Sequence, residues 1–237
     1  MLKIEHLTKL YGEKKAVDDL SLHIERGEIY GFIGHNGAGK TTTIKASCGI
    51  LQFDSGEIRV DGVSVKDDPL SCKRKIAYIP DNPDLYDFMS GIKYLNFVAD
   101  IFGVSQSERQ ERIRRYADAF ELTDDLAQPI GSYSHGMKKK LAIISALIHE
   151  PKLIIMDEPF VGLDPKASHT LKLLMRDICD RGGAIFFSTH VLEVAEKLCD
   201  KVAIIKGGRL IKSGTMEDVK GDESLESVFL ELEDDHA

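Results

Sequence analysis

The sequence predicts an α/β fold with a mostly parallel core sheet, an N-terminal antiparallel β-subdomain and an inserted helical subdomain. Three observations predict it. A glycine-rich turn, residues 34–41, lies between a strand-like run at 28–33 and a helix-like run. Short, continuous apolar runs at Leu153–Met156, Ala184–Ser188 and Val202–Ile205 alternate with helical stretches, the pattern of buried parallel strands. From about Met89 to Glu150 apolar residues recur at helical spacing, as in Tyr94, Leu95, Val98 and Phe102 and in Ile113, Tyr116, Ala117 and Phe120.

In chain order, short strands are expected at Ile4–Leu7, Leu20–Ile24 and 28–33, punctuated by turns at Tyr11-Gly12-Glu13 and Arg26-Gly27. A further strand runs through Ile58-Arg59-Val60 to the Asp61-Gly62 turn, and these pieces are expected to wrap an antiparallel sheet around the strand at 28–33. One domain spanning 1–237 is expected. Its core and β-subdomain occupy about 1–88 and 151–215, and its helical subdomain about 89–150. A C-terminal helix and acidic tail fill 216–237, with Leu225, Val228, Phe229 and Leu232 forming one apolar stripe.

Bulk properties narrow the function. The chain has 237 residues, 43% hydrophobic and 30% charged, with a formal net charge of −8. That balance argues against a general nucleic-acid partner, which needs a basic face. The triplet Lys138-Lys139-Lys140 is expected to be a solvated helix face. Cys48, Cys72, Cys179 and Cys199 have neither zinc-site nor disulfide spacing and read as reduced packing residues. The N-terminus lacks the apolar centre of a signal peptide, and no run approaches the roughly 20 apolar residues of a membrane span. A membrane role is therefore expected only through a partner.

Gly34-His35-Asn36-Gly37-Ala38-Gly39-Lys40-Thr41 is a complete G-x-x-x-x-G-K-[ST] loop in its strand-to-helix context, the mark of a P-loop NTPase core. Glycines let successive N–H groups curl inward as an anion nest, and the helix that follows, through Thr42, adds its dipole. Lys40 is expected to reach the outer phosphates and the Thr41 hydroxyl to hold Mg²⁺. The run Leu153-Ile154-Ile155-Met156-Asp157-Glu158-Pro159 is an apolar strand ending in two carboxylates. Beside a phosphate loop, Asp157 is expected to hold the Mg²⁺ shell and Glu158 to act as general base.

With these elements in this order, the chain resembles the ATPase subunits of ABC transporters over roughly residues 2–215. Tyr133-Ser134-His135-Gly136-Met137-Lys138 is similar to the family signature, usually Leu-Ser-Gly-Gly-Gln, with His135 and Met137 as departures. The resemblance implies that Ser134 and Gly136 cap the γ-phosphate of ATP held by a second ATPase subunit, identical or different, in a head-to-tail sandwich. It also implies that Phe186-Phe187-Ser188-Thr189-His190 ends in the switch histidine, His190. Gly162-Leu163-Asp164-Pro165 resembles the D-loop, whose Asp164 couples the two sites, while also suiting a plain helix N-cap. Tyr11 stands where the family stacks an aromatic on adenine. At Ala77-Tyr78-Ile79-Pro80-Asp81-Asn82, Asp81 replaces the usual glutamine that senses Mg²⁺ or the attacking water and links the site to the membrane partner. Leu85, Tyr86, Phe88 and Met89 lie where family members receive a helix of the transmembrane permease.

The function expected from this resemblance is ATP hydrolysis that powers transport through separate membrane subunits, at the cytoplasmic face of the membrane. The signature and the Asp-Glu-Pro-Phe-Val-Gly-Leu-Asp run are most similar to bacterial drug, peptide or bacteriocin-immunity exporters, so export is expected over import. The alternative is a soluble ATPase of the same type acting on ribosomes, chromosomes or cluster assembly. Against it, the chain has neither a second such domain nor coiled-coil heptads. A phosphate-loop kinase or GTPase would leave Ser134–Met137 and His190 unexplained.

A carboxylate at position 81, beside Asp157 and Glu158, adds negative charge and metal affinity that an amide lacks. Asp81→Gln is expected to shift the Mg²⁺ dependence of ATP hydrolysis, read by parallel titrations of parent and variant. Superimposable curves would remove Asp81 from the metal shell.

Overall fold

A computed structural model describes residues 1–234, and Asp235, His236 and Ala237 of the expected acidic tail lie outside that range. Strands β1 (Leu2–Tyr11) and β2 (Lys14–Ile24) form a long antiparallel hairpin, and β3 (Ile29–Ile33) follows it. Helix α1 (Lys40–Ser47) leads to β4 (Ser55–Val60), β5 (Val63–Ser64), α2 (Pro69–Lys75) and β6 (Ile76–Ile79). Three longer helices follow: α3 (Gly91–Ile101), α4 (Gln106–Ala119) and α5 (His135–Leu147). The chain then alternates β7 (Leu153–Asp157), α6 (Pro165–Asp180), β8 (Ala184–Thr189), α7 (Leu192–Leu198) and β9 (Lys201–Lys206). It ends in β10 (Arg209–Thr215), α8 (Met216–Lys220) and α9 (Leu225–Asp234).

Two sheets result. The first has the order β2-β1-β4-β5 and is antiparallel; the second has the order β10-β9-β3-β8-β7-β6 and is parallel except for β10. The central strands are apolar on both faces, and their alternation separates two cores. Tyr30, Phe32, Ile155 and Phe186 point with the N-terminal sheet, whereas Ile33, Ile154, Met156 and Phe187 point with the helices. This is why these strands read as continuous hydrophobic runs. The loop after β3 and the ends of β7 and β8 open at the same edge, since parallel strands present their C-terminal ends together.

Several elements depart from the sequence reading for physical reasons. The N-terminal strands are longer than expected because β1 bends through register shifts between Ile4 and Leu10, which break the simple alternation. β5, β6 and β10 are short or polar and carry little periodic signal. The expected single C-terminal helix is two. Thr215 and Asp218 make a reciprocal capping box that starts α8, and Gly221 at φ 57° stops it before α9 begins. The four cysteines are buried and unpaired, and burial pushes the Cys179 thiol up to about 12.

His149, just beyond α5, stacks on Phe102 with ring centroids 3.7 Å apart, and its Nε2 lies 3.2 Å from the Ile76 carbonyl. Burial lowers its pKa from 6.5 to about 4. Between those values the unfolded chain binds a proton that the folded chain does not, so stability falls as pH drops through that window. The loss is on the order of 2 kcal/mol by pH 5. His149→Gln is expected to flatten the fall in Tm between pH 7.5 and pH 5; parallel Tm curves for parent and variant would assign the acid sensitivity elsewhere.

Candidate functional site

The loop between β3 and α1 closes on itself. The Ala38 N–H donates to the His35 carbonyl at 3.1 Å, and Lys40 Nζ donates back to the carbonyls of Gly34 (2.5 Å) and His35 (3.2 Å). Gly39 stands at φ 110°, and a Cβ there would lie 2.4 Å from the Ala16 carbonyl oxygen, so only glycine suits the position. α1 starts from Gly39 without a side-chain cap, leaving its first turn to backbone donors alone. The turn before β10 supports the loop from behind, with the Gly208 N–H donating to the Ala38 carbonyl at 2.9 Å.

Beside this loop lies a cleft of about 350 Å³ lined by Tyr11, Lys14, Ala16, His35, Asn36, Gly37, Gly39, Lys40, Thr41, Thr42, Asp81, Asp157 and Glu158. Most of the residues singled out in the sequence thus meet in one place. Gly34 and Ala38 do not line the cleft; they form the buried back of the loop. Tyr11, at the end of β1, is half exposed over it. Ser134 and Gly136 also lie outside the cleft, at the exposed start of α5, where the Ser134 hydroxyl accepts the Met137 N–H at 3.2 Å.

The carboxylates are held from every side. Thr41 Oγ1 donates to Asp157 Oδ2 at 2.7 Å, and the Ser188 hydroxyl donates to Asp157 Oδ1. Parallel pairing puts Ser188 directly opposite Asp157, so the same serine also accepts the Glu158 N–H at 3.1 Å. Glu158 has φ 46°, a left-handed conformation that costs a side-chain-bearing residue about 1–3 kcal/mol and persists only where its surroundings impose it. Its Oε1 is buried without an aligned hydrogen-bond donor, 3.7 Å from Lys40 Nζ and 3.0 Å from His190 Nδ1. Burial lowers the pKa of Lys40, opposed by the charges of Glu158 and Asp157. His190, just beyond β8, is half exposed.

The lysine triplet is not a solvated face. Successive helix residues point about 100° apart, so three neighbours cannot share one side. Lys138 pairs with Asp87 at 2.7 Å and Lys140 with Asp164 at 2.7 Å, while Lys139 is wholly buried. Burial depresses the Lys139 pKa, opposed by Asp81, Asp157 and Glu158. Asp164 is also the N-cap of α6, accepting the Ala167 N–H at 2.8 Å. The His135 ring packs on Gly162, where a Cβ would lie 2.6 Å from it, so the departure from glycine in the signature is matched by a glycine opposite.

Comparison with known proteins identifies the family: a model described as ABC transporter matches residues 17–161. The chain belongs to the ABC transporter ATP-binding family. The linearmycin resistance ATP-binding protein LnrL of Bacillus subtilis is 34% identical, over 92% of this chain and 70% of that protein. A solved ATP-binding subunit of an ABC transporter is 35% identical, with a TM-score of 0.94 over 98% of this chain and 99% of that one. The cbiO1 subunit of Clostridium perfringens, part of an ABC transporter complex, is 28% identical with a TM-score of 0.78 over 92% of this chain and 89% of that one. As a member of the ABC transporter ATP-binding family, the chain is an ATPase that powers transport. No helix among the described residues is long and apolar enough to cross a membrane.

Sequence reasoning missed Ser188 and Lys139. Ser188 sits two residues before His190 on a strand that meets β7 in parallel register, so pairing the two strands would have found it. Ser188→Ala removes a donor from Asp157 and an acceptor from the Glu158 N–H. Leaving these groups unsatisfied is expected to cost about 1–2 kcal/mol, a fall in Tm of about 2–8 °C for a chain of this size. Calorimetry without nucleotide checks this, and an unchanged Tm would mean that the hydroxyl's partners are solvated instead.

Proposed function

We propose that Glu158 is the general base of this ATPase, and the observation that carries the proposal is its enclosed, undonated carboxylate oxygen between Lys40 and His190 at the cleft. ATP lies along residues 34–42, with Lys40 at its outer phosphates and Tyr11 against the base. Thr41 and Asp157 bring two hard oxygen donors together at 2.7 Å, a donor set suited to Mg²⁺ that keeps waters and phosphate oxygens as its other ligands. Asp81 stands at the outer edge of that shell. When bound, the ion neutralises charge on the phosphoryl oxygens. Glu158 takes the proton of the attacking water, and His190 orients Glu158 and faces the γ-phosphate.

The signature residues Ser134 and Gly136 stand outside this chain's own cleft on an exposed helix start. That separation supports a head-to-tail pair of ATPase subunits in which each chain caps the other's ATP. Tyr86, Phe88 and Phe97 form an exposed aromatic cluster, with Phe88 85% exposed, and receive a membrane permease. The assembly is placed at the cytoplasmic face of the membrane. Export is favoured by the resistance function named for one relative.

Glu158→Gln is expected to keep ATP binding and lose hydrolysis by about 10²–10⁴-fold, and to elute as a dimer in ATP where the parent is a monomer. Normal turnover in that variant would remove Glu158 from the role. Tagged chain purified from detergent-solubilised native membranes is expected to carry a multi-span protein that alters its ATP turnover. A soluble pool with ribosomal or DNA-associated partners would overturn the transport partner and leave the hydrolytic site standing.

A further inference from the structure

Lys139 is the one cation of the triplet with no exposed surface, inside a helix whose following residues, Leu141 through Leu147, are all buried. An ammonium has three N–H donors, and burying it is costly unless each finds an acceptor and a counter-charge is near. Both conditions are met at one place. Lys139 Nζ donates to the carbonyls of Asp81 (2.7 Å), Pro80 (3.2 Å) and Glu158 (3.2 Å), and Asp81 Oδ1 lies 3.7 Å away. The side chain therefore ties together three segments far apart in sequence: the signature-bearing helix, the loop after β6, and the residue after β7.

The Glu158 peptide is the critical member. Its N–H is held by Ser188 and its carbonyl by Lys139, one from each side, and between them the backbone sits at φ 46°. Releasing the carbonyl frees a strained peptide to relax toward ordinary conformations, which turns the carboxylate away from the cleft. Asp81, in turn, supplies the only carboxylate within 4 Å of this ammonium among the described residues.

We propose that Lys139 is a positioning residue for hydrolysis. As the counter-charge of Asp81, it locks the Glu158 peptide and the Pro80-Asp81 loop to α5, so that the Glu158 carboxylate faces the cleft only while these three segments remain joined. The proposal rests on Glu158 being the base. It makes the aspartate at position 81 and the lysine at position 139 one functional unit, in which neither charge is expendable alone.

A double-mutant cycle in the full chain tests it, at saturating Mg²⁺, with Lys139→Gln, Asp81→Gln and the double variant. Lys139→Gln is expected to lower kcat by about tenfold or more while KM and the affinity for a fluorescent ATP analogue stay within about twofold, the split of a residue that acts on chemistry and not on binding. The double variant, with two amides in place of two charges, is expected to recover at least about threefold over Lys139→Gln, a non-additivity expected of groups in contact. In nucleotide-free protein, hydrogen exchange in peptides covering 81–83 and 158–163 is expected to rise about tenfold in Lys139→Gln, with the rest of the chain unchanged. Unchanged kcat in Lys139→Gln, or strictly additive effects in the double variant, would overturn the proposal. Should Lys139→Gln not fold, the partly exposed Asp81→Gln carries the test in nucleotide- and metal-free protein: raised hydrogen exchange in the peptide covering 158–163 supports the pair, and unchanged exchange there overturns it. Glu158→Gln run beside them separates the two readings. Retained turnover there sinks the base assignment, whereas lost turnover there with a normal Lys139→Gln sinks only the positioning role.

Discussion

Two carboxylates at the tip of one buried strand are the constraint on which the rest of this structure depends. Asp157 ends β7 and Glu158 follows it directly, and Asp157 is only 5% exposed. Buried charge persists only where donors and counter-charges converge on it. The neighbouring elements accordingly converge on the pair: Lys40 and Thr41 from the start of α1, Ser188 from β8 and His190 from beyond β8 reach the carboxylates, and Lys139 from α5 holds the Glu158 carbonyl. A one-residue slip of β8 against β7 would turn Ser188 to the opposite face and leave Asp157 short of a donor. The strand register, the start of α1 and the seating of α5 are therefore fixed by the same small group of charges.

What the sequence made legible is what depends on local spacing. The phosphate loop needs glycines, lysine and threonine at fixed offsets, and the ends of apolar strands need nothing beyond neighbouring residues. His190 and the run Tyr133–Lys138 stood out only through their order along the chain. Lys139 was illegible for the opposite reason. A run of three lysines on a helix resembles solvent-facing charge, and only the packing of α5 against β6 and β7 turns the middle one inward. β6 and β10 were hidden because edge strands of four and seven residues carry little periodic signal. The break between α8 and α9 was local and readable, since Gly221 follows a complete capping box, but the apolar stripe of α9 masked it.

The geometry also explains how the unusual signature is tolerated. The His135 ring lies against Gly162, where a Cβ would sit 2.6 Å from it, so the glycine opposite provides the space the ring needs. Lys140 then bonds Asp164, two residues beyond Gly162, so the start of α5 and the turn before α6 form one packed unit. The substitution is thus absorbed within the chain, leaving the Ser134 hydroxyl and the first turn of α5 at the surface, where the proposed partner subunit would meet them.

α5 consequently has two ends with different duties. Its first turn faces outward, on the surface proposed to cap the nucleotide of a second chain, while one turn later Lys139 grips the peptide of Glu158 in its own cleft. A helix is stiff over so short a span, since each residue is tied by backbone bonds to the turn before it. A tilt of α5 driven by contact at its N-terminus would therefore move the Lys139 ammonium and, with it, the Glu158 carbonyl. The loop bearing Asp81 is tied to the same ammonium and leads directly toward the exposed aromatics at Tyr86 and Phe88. One buried lysine thus lies where three proposed influences converge: the nucleotide of a second chain, the carboxylate of Glu158 and the surface that would receive the permease. The charge pair at positions 81 and 139 gives that junction a cost of separation that two amides would lack, and this is the physical sense in which the aspartate at position 81 would enter the proposed mechanism.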